Sequence, residues 1–154
     1  MTMIADKTLV NAPLASANAL LQAVLAAHPA PSGPGARIVL RAGQAEQPAI
    51  ITLHPLHRPE DMTPRYGVHW EAEGGGRFPI FDGELEIGAD EDYNAFFLVL
   101  DGSYVPPGGL PGQIFDAVIG HRIAQEAAHG LLSQICTEIE QRFADTEAAK
   151  RVPI

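Results

Sequence analysis

Apolar and polar residues recur along this chain with two periods, and the change from one to the other marks out its elements. After a short β-type stretch, KTLVNA (7–12), the segment PLASANALLQAVLAAH (13–28) carries Leu14, Leu21, Val24, Leu25 and His28 at helical spacing. Pro13 suits the first turn of such a helix, and Asn11 or an adjacent residue can cap it. From residue 36 the period drops to two. ARIVLRA (36–42) sets Ile38 and Leu40 against Arg37 and Arg41. PAIITLHPL (48–56), RYGVHWEAE (65–73), FPIFDGELEIG (78–88) and YNAFFLVLDGSY (93–104) follow as further strands. The segments between them, GQAEQ, HRPEDMTP, GGGR and ADED, are polar and turn-forming, as antiparallel connections require.

Two strands sort by face. Phe81, Leu85 and Ile87 oppose Asp82, Glu84 and Glu86, while Tyr66, Val68, Trp70 and Ala72 oppose His69 and Glu71. A sheet with one wet face needs an apolar cover for the other. The cover follows an elbow, PPGGLPG (106–112), whose prolines stop the last strand and whose glycines allow left-handed turns. Asp116 then falls in the first helical turn, where a negative charge is favoured. From Gln113 onward, Phe115, Val118, Ile119, Ile123, Leu131, Leu132, Ile135, Ile139 and Phe143 make one apolar stripe. A stripe of about thirty residues is roughly 45 Å of helix, enough to lie across a curved sheet. The expected class is α+β: a curved antiparallel sheet of about six strands wrapped around a long C-terminal helix, in one domain over 1–154. HPAPSGPGAR (28–37) reads as a loop inside that domain.

Charge and composition narrow the partners. Nineteen acidic residues against ten basic ones give a net charge of −9, without a Lys/Arg cluster, so nucleic acid is disfavoured. No apolar run approaches the roughly 20 residues of a membrane span, and the N-terminus lacks the pattern of a secretory signal. One cysteine, Cys136, excludes an internal disulfide framework. These features point to a cytoplasmic chain without integral membrane association.

Three stretches together resemble a known superfamily over nearly the whole chain: LVNAPLASANALLQAVL (9–25), WEAEGGGRFPIFDGELEIG (70–88) and LDGSYVPPGGLPGQIFDAVIGHRIA (100–124). They are similar to the START/Bet v 1-like (SRPBCC) superfamily, in particular its polyketide cyclase/dehydrase and lipid-transport group. The third is similar to the Gly-x-Tyr-x-Pro-Pro…Gly…Asp run that opens the last helix in many bacterial members. The chain departs from the family pattern after its first strand, where one helical pattern and a Pro/Gly loop replace the usual pair of short helices. The resemblance implies a helix-grip fold holding a hydrophobic ligand between the concave sheet and the final helix. Some members are cyclases, aromatases or hydrolases, many only bind, and catalytic residues are not shared among them.

Strand alternation and the helix stripe nominate the cavity wall. Leu53, Val68, Trp70, Phe81, Leu85, Leu98, Leu100 and Tyr104 come from the sheet, and Phe115, Ile119, His121 and Ile123 from the helix. Trp70 and Tyr104 add an N–H and an O–H to large flat bodies, and such groups orient ligands in mostly apolar pockets. His54 and His57 are three apart, and His69 is expected to face His54 across a strand pair, without a carboxylate at ligand spacing. No metal site or cofactor is expected. The long loop 57–65 gathers Arg58, Glu60, Asp61 and Arg65 and reads either as a solvated loop or as a gate. Phe97 and Val99 on the outer face suggest a homodimer contact. Cys136 has no basic neighbour to activate it and reads as a structural thiol.

Three functions fit these residues. The first is binding of a small hydrophobic or aromatic molecule, lipid or polyketide-like, oriented by Trp70 and Tyr104. The second is a cyclase-, aromatase- or hydrolase-type enzyme in the same cavity, with His121 or Tyr104 moving a proton. The third is a protein-interaction module with a filled core.

Overall fold

The computed structural model describes residues 2–74, 78–105 and 117–151. The elements are β1 (Thr2–Val10), α1 (Ala17–Ala26), β2 (Ala36–Ala42), β3 (Ala45–Leu56), β4 (Arg65–Ala72), β5 (Ile80–Ala89), β6 (Phe96–Val105) and α2 (Ala117–Lys150). A 3-10 turn at Leu14–Ser16 leads into α1. The six strands make one antiparallel sheet in the order β1-β6-β5-β4-β3-β2. Strands β2 to β6 follow one another as a meander, and β1 lies beside β6, so β1 and β2 are the sheet's two edges. The expected α+β helix-grip architecture is present. The PPGGLPG elbow, Phe115 and Asp116 lie outside the described residues.

The alternation seen in the sequence becomes an inner and an outer face. One row across the sheet joins Ala36, Ile51, Trp70, Phe81 and Tyr104 as directly opposed residues. All five are buried, whereas Arg37, Glu71 and Asp82, one residue along from three of them, are exposed. Two strands run further than the sequence pattern suggests. β1 starts at Thr2, and β3 starts at Ala45, leaving only Gly43 and Gln44 as the turn from β2.

α2 is 34 residues long, about 50 Å, and packs chiefly on β1 and β2. The helix therefore closes the open side of the curled sheet by touching both edges, rather than lying over its middle. Unpaired edge backbone is what a sheet must protect. On β1 that protection comes from α2 side chains. Gln125 Nε2 donates to the Ala5 carbonyl at 2.9 Å, and Cys136 Sγ donates to the Leu9 carbonyl at 3.4 Å. Just past the strand, the Asn11 N–H donates to Glu140 Oε2 at 2.8 Å, and His129 Nδ1 lies 3.0 Å from Asp6 Oδ2.

The apolar stripe needs one correction. Its C-terminal half is as expected, with Leu131, Leu132, Ile135 and Ile139 buried. Toward the N-terminus the inward positions are instead Gly120, Ala124, Ala127 and Ala128, and Val118 and Ile119 are 81% and 58% exposed. Helical phase explains this. At 100° per residue, Ile119 falls about 140° and Val118 about 120° around the axis from Ala124.

The inner face also depends on two glycines. Gly83 and Gly102 are opposed across β5 and β6. A Cβ on Gly102 would press into the Asp82 carbonyl oxygen and come within 2.5 Å of Gly83 Cα and 2.7 Å of Phe81 Cζ. The Phe81 ring thus folds down over bare backbone. Gly102→Ala is expected to destabilise the protein by about 1–3 kcal/mol, read from urea unfolding, because backbone and ring must move apart. An unchanged midpoint would contradict this packing.

Candidate functional site

The middle of the concave face is occupied by the protein's own rings. Trp70 and Phe81 stack with centroids 4.1 Å apart and planes 16° from parallel, and they are 2% and 1% exposed. Val68, Leu85, Leu98, Leu100 and Tyr104 belong to the same buried cluster. Of the other residues nominated from the sequence, Leu53 and Ile123 are half-buried against that core. Ile119 points away from the sheet. His121 is exposed, with its ring centroid 6.1 Å from that of Tyr104.

A cleft opens at one flank. It measures about 240 Å³ and lies between α1 and the β2–β3 edge, lined by Gln22, Leu25 and Ala26 from the helix and by Gly35, Ala36, Ile51 and Leu53 opposite. Strand register makes this opening. The β2–β3 ladder ends at Ala36↔Ile51, so Leu53 lies beyond the first residue of β2 and keeps only Val68 of β4 beside it. The far wall is α1, which buries Ala17, Leu21 and Val24 and is tied to β4 by the Tyr66 hydroxyl donating to Asn18 Oδ1.

The loop from α1 to β2 holds the rim in place. Arg37 N–H donates to the His28 carbonyl at 2.8 Å, and Ala30 N–H to the Gly35 carbonyl at 3.2 Å. Gly35 has φ +106°, and a Cβ there would lie 2.7 Å from the Ile51 carbonyl oxygen, so only glycine lets the loop come so near β3. Ile51, the cleft's inner wall, is directly opposed to Trp70. The cleft is therefore one strand away from the ring stack.

Past Leu25 and Ala36 the cleft adjoins a second, much smaller gap of about 10 Å³, which both residues also line. Its polar side chains are His28, Gln134 and Glu138. His28 Nε2 lies 3.0 Å from both carboxylate oxygens of Glu138.

Sequence reading reached only Leu53 of the cleft lining. Leu25 and His28 stood out as helical-period residues without pointing to an opening. Gln134 carries a usable signal: it is a polar residue inside the apolar run Leu131, Leu132 and Ile135.

Comparison with known proteins finds likeness in structure alone. No protein-family model matches the chain, and no curated protein matches it. Among solved structures, it is similar to a START superfamily protein from Mycobacterium smegmatis, at 13% identity and a TM-score of 0.49, over 94% of this chain and 98% of the other. It is also similar to TTHA0849 from Thermus thermophilus, at 13% identity and a TM-score of 0.49, over 90% and 97% of the two chains. A third similarity is to DynU16, from the dynemicin biosynthetic locus, at 20% identity and a TM-score of 0.42, over 94% of this chain and 48% of that one. The strand order, the curled sheet and the closing helix make this a helix-grip α+β fold.

The outer face carries the remaining charged candidates. The 57–65 loop is bound to that face. Arg58 Nη2 lies 2.7 Å from Glu84, Arg58 Nε 2.9 Å from Asp61, and Arg65 Nη2 2.6 Å from Glu86. Hydrogen bonds that Arg58 donates to Glu84 and Asp61 raise its pKa still further above its usual value. His54 does not face His69 as expected, because the register opposes His69 to Thr52 and lays the His54 ring over Gly67. Phe97 and Val99 are half-buried, with Lys7 Nζ 3.9 Å above the Phe97 ring. Burial, reinforced by Glu140, pushes the Cys136 thiol pKa up, the opposite of activation. Among the described residues, no three His, Cys, Asp or Glu side chains gather to hold a metal, and no helix is long and apolar enough to cross a membrane.

His69 offers a test of this face. Partial burial lowers its pKa, but hydrogen bonds to Asp82 and Glu71 outweigh that, and the net shift is upward. A raised folded-state pKa stabilises below the unfolded value of about 6.5, and the contribution is lost as pH rises through the folded value. The gap in urea midpoint between wild type and His69→Gln is therefore expected to be wider at pH 5.5 than at pH 8.5. A gap that is constant or widens with pH would show that the contacts with Asp82 and Glu71 do not favour the charged ring.

Proposed function

We propose that this chain binds a small hydrophobic molecule, one that enters between α1 and the β2–β3 edge and lies against the interior of the grip. The observation that carries the reading is the cleft itself: about 240 Å³, one strand from the Trp70–Phe81 stack, and with Gln22 as its one polar side chain. Leu25, Ala26, Ala36, Ile51 and Leu53 offer apolar surface, and covering such surface contributes about 25 cal/mol per Å². The volume is below the roughly 300 Å³ at which typical pockets begin, so the guest is small or leaves part of itself in solvent. The implied partner is a free small molecule, not a nucleic acid, and no cofactor enters the reading.

Trp70 is the chain's single tryptophan, so its fluorescence reports on the wall next to the cleft. N-phenyl-1-naphthylamine, a neutral apolar fluorophore, is expected to bind with one molecule per chain and to alter Trp70 emission. Leu53→Arg should weaken that binding at least about tenfold, equivalent to ~1.4 kcal/mol, with little change in Tm because Leu53 is half-buried. Val118→Arg, on the outward face of α2, should leave binding unchanged. Equal binding by the Leu53→Arg variant and wild type would defeat the reading.

A second reading, an enzyme acting in the same interior, draws on the approach of the Tyr104 and His121 rings. There the buried Tyr104 ring and the exposed His121 ring lie 6.1 Å apart, centroid to centroid. If a ligand is converted, His121→Gln should abolish turnover and leave probe affinity within about twofold. Turnover that persists in this variant would remove His121 from any mechanism.

A further inference from the structure

Gln134 brings a buried, unmatched acceptor to the smaller gap. Its Oε1 is buried, and among the described residues it has no hydrogen-bond partner. The other two polar side chains there, His28 and Glu138, bond each other across the gap's rim. Leaving a buried acceptor unmet is unfavourable, and matching it with a donor recovers a hydrogen bond. The space beside it is about 10 Å³, close to the smallest that admits a water or a single hydroxyl. The gap and the cleft have Leu25 and Ala36 in common in their linings, so only these two side chains stand between them.

We infer that Gln134 selects, among small apolar guests, those ending in a hydrogen-bond donor such as a hydroxyl. The head group passes Leu25 and Ala36 to reach Gln134 Oε1, and the apolar body stays against Ile51 and Leu53. The inference rests on the cleft being the binding site, and it adds the chemical class of guest that the cleft prefers. Gln134 acts here as a specificity residue. It lies on the inner-facing flank of α2 between the buried Leu131 and Ile135, and α1, β2 and α2 converge at that point.

Two isomers separate the donor from everything else. 1-Nonanol and 1-methoxyoctane have the same atoms and nearly the same length, but only the alcohol can donate. Each is titrated as a competitor of N-phenyl-1-naphthylamine against wild type, Gln134→Met and Gln134→Leu. The ratio of ether to alcohol dissociation constants is expected to be about fivefold larger in wild type than in the variants, as one hydrogen bond to a buried acceptor predicts. Comparing ratios across proteins cancels the difference in how the two isomers partition from water, and either variant suffices if the other does not fold. Equal ratios with both isomers bound would mean that Oε1 is met by water alone, and would overturn the role of Gln134 while leaving the cleft intact. Failure of both isomers to displace the probe from wild type would overturn this inference together with the proposed site.

Discussion

A six-stranded sheet that curls but does not close leaves two rows of backbone groups without strand partners, and the rest of this fold follows from how those rows are covered. One helix meets both. Gln125 and Cys136 supply hydrogen bonds to carbonyls of β1, and the opposite flank of α2 lies against β2, where a Cβ on Gly130 would sit 3.7 Å from the Arg41 carbonyl. Uncovered, each row would be a template for pairing with another chain. Covering them with a helix in place of a seventh strand keeps the sheet open enough to have an inside.

What fills that inside follows from the residues α2 turns inward. Its first half offers Gly120, Ala124, Ala127 and Ala128, so bulk in the interior comes from the sheet, above all from the stacked rings of Trp70 and Phe81. Glycines at 83 and 102 let the Phe81 ring lie close to the strands. The space left over lies to the side, where β2 begins only at Ala36 and β3 runs on to Leu56. In this fold the position of the open cleft is set by unequal strand lengths as much as by curvature.

Much of the architecture was legible because period-two alternation is local. ARIVLRA matches β2 from end to end, and the sorting of Phe81, Leu85 and Ile87 against Asp82, Glu84 and Glu86 matches the two faces of β5. The helix was legible in extent but not in phase. Val118 and Ile119 looked like part of the inward stripe because they are large and apolar, while the alanines that do face inward give almost no signal. The cleft was not legible, since it arises from Ile51 having a partner in β2 and Leu53 having none, a fact about pairing between distant segments. The positions of the interior candidates divide along the same line. Trp70 and Phe81 could be assigned a face from their own strands, whereas their contact with each other depends on the register between β4 and β5.

The joining of β1 to α2 bears on how the chain comes to be folded. These are the first and last elements in sequence: Ala5 meets Gln125 and Asn11 meets Glu140, separations of 120 and 129 residues. Contacts between such distant segments form late, because the entropy of closing so large a loop is lost before they contribute. During synthesis the N-terminal strand emerges long before the helix that shields it. Until the C-terminal third has been made, its flank stays open to neighbouring chains, and solubility in that interval rests on the acidic charge the chain carries.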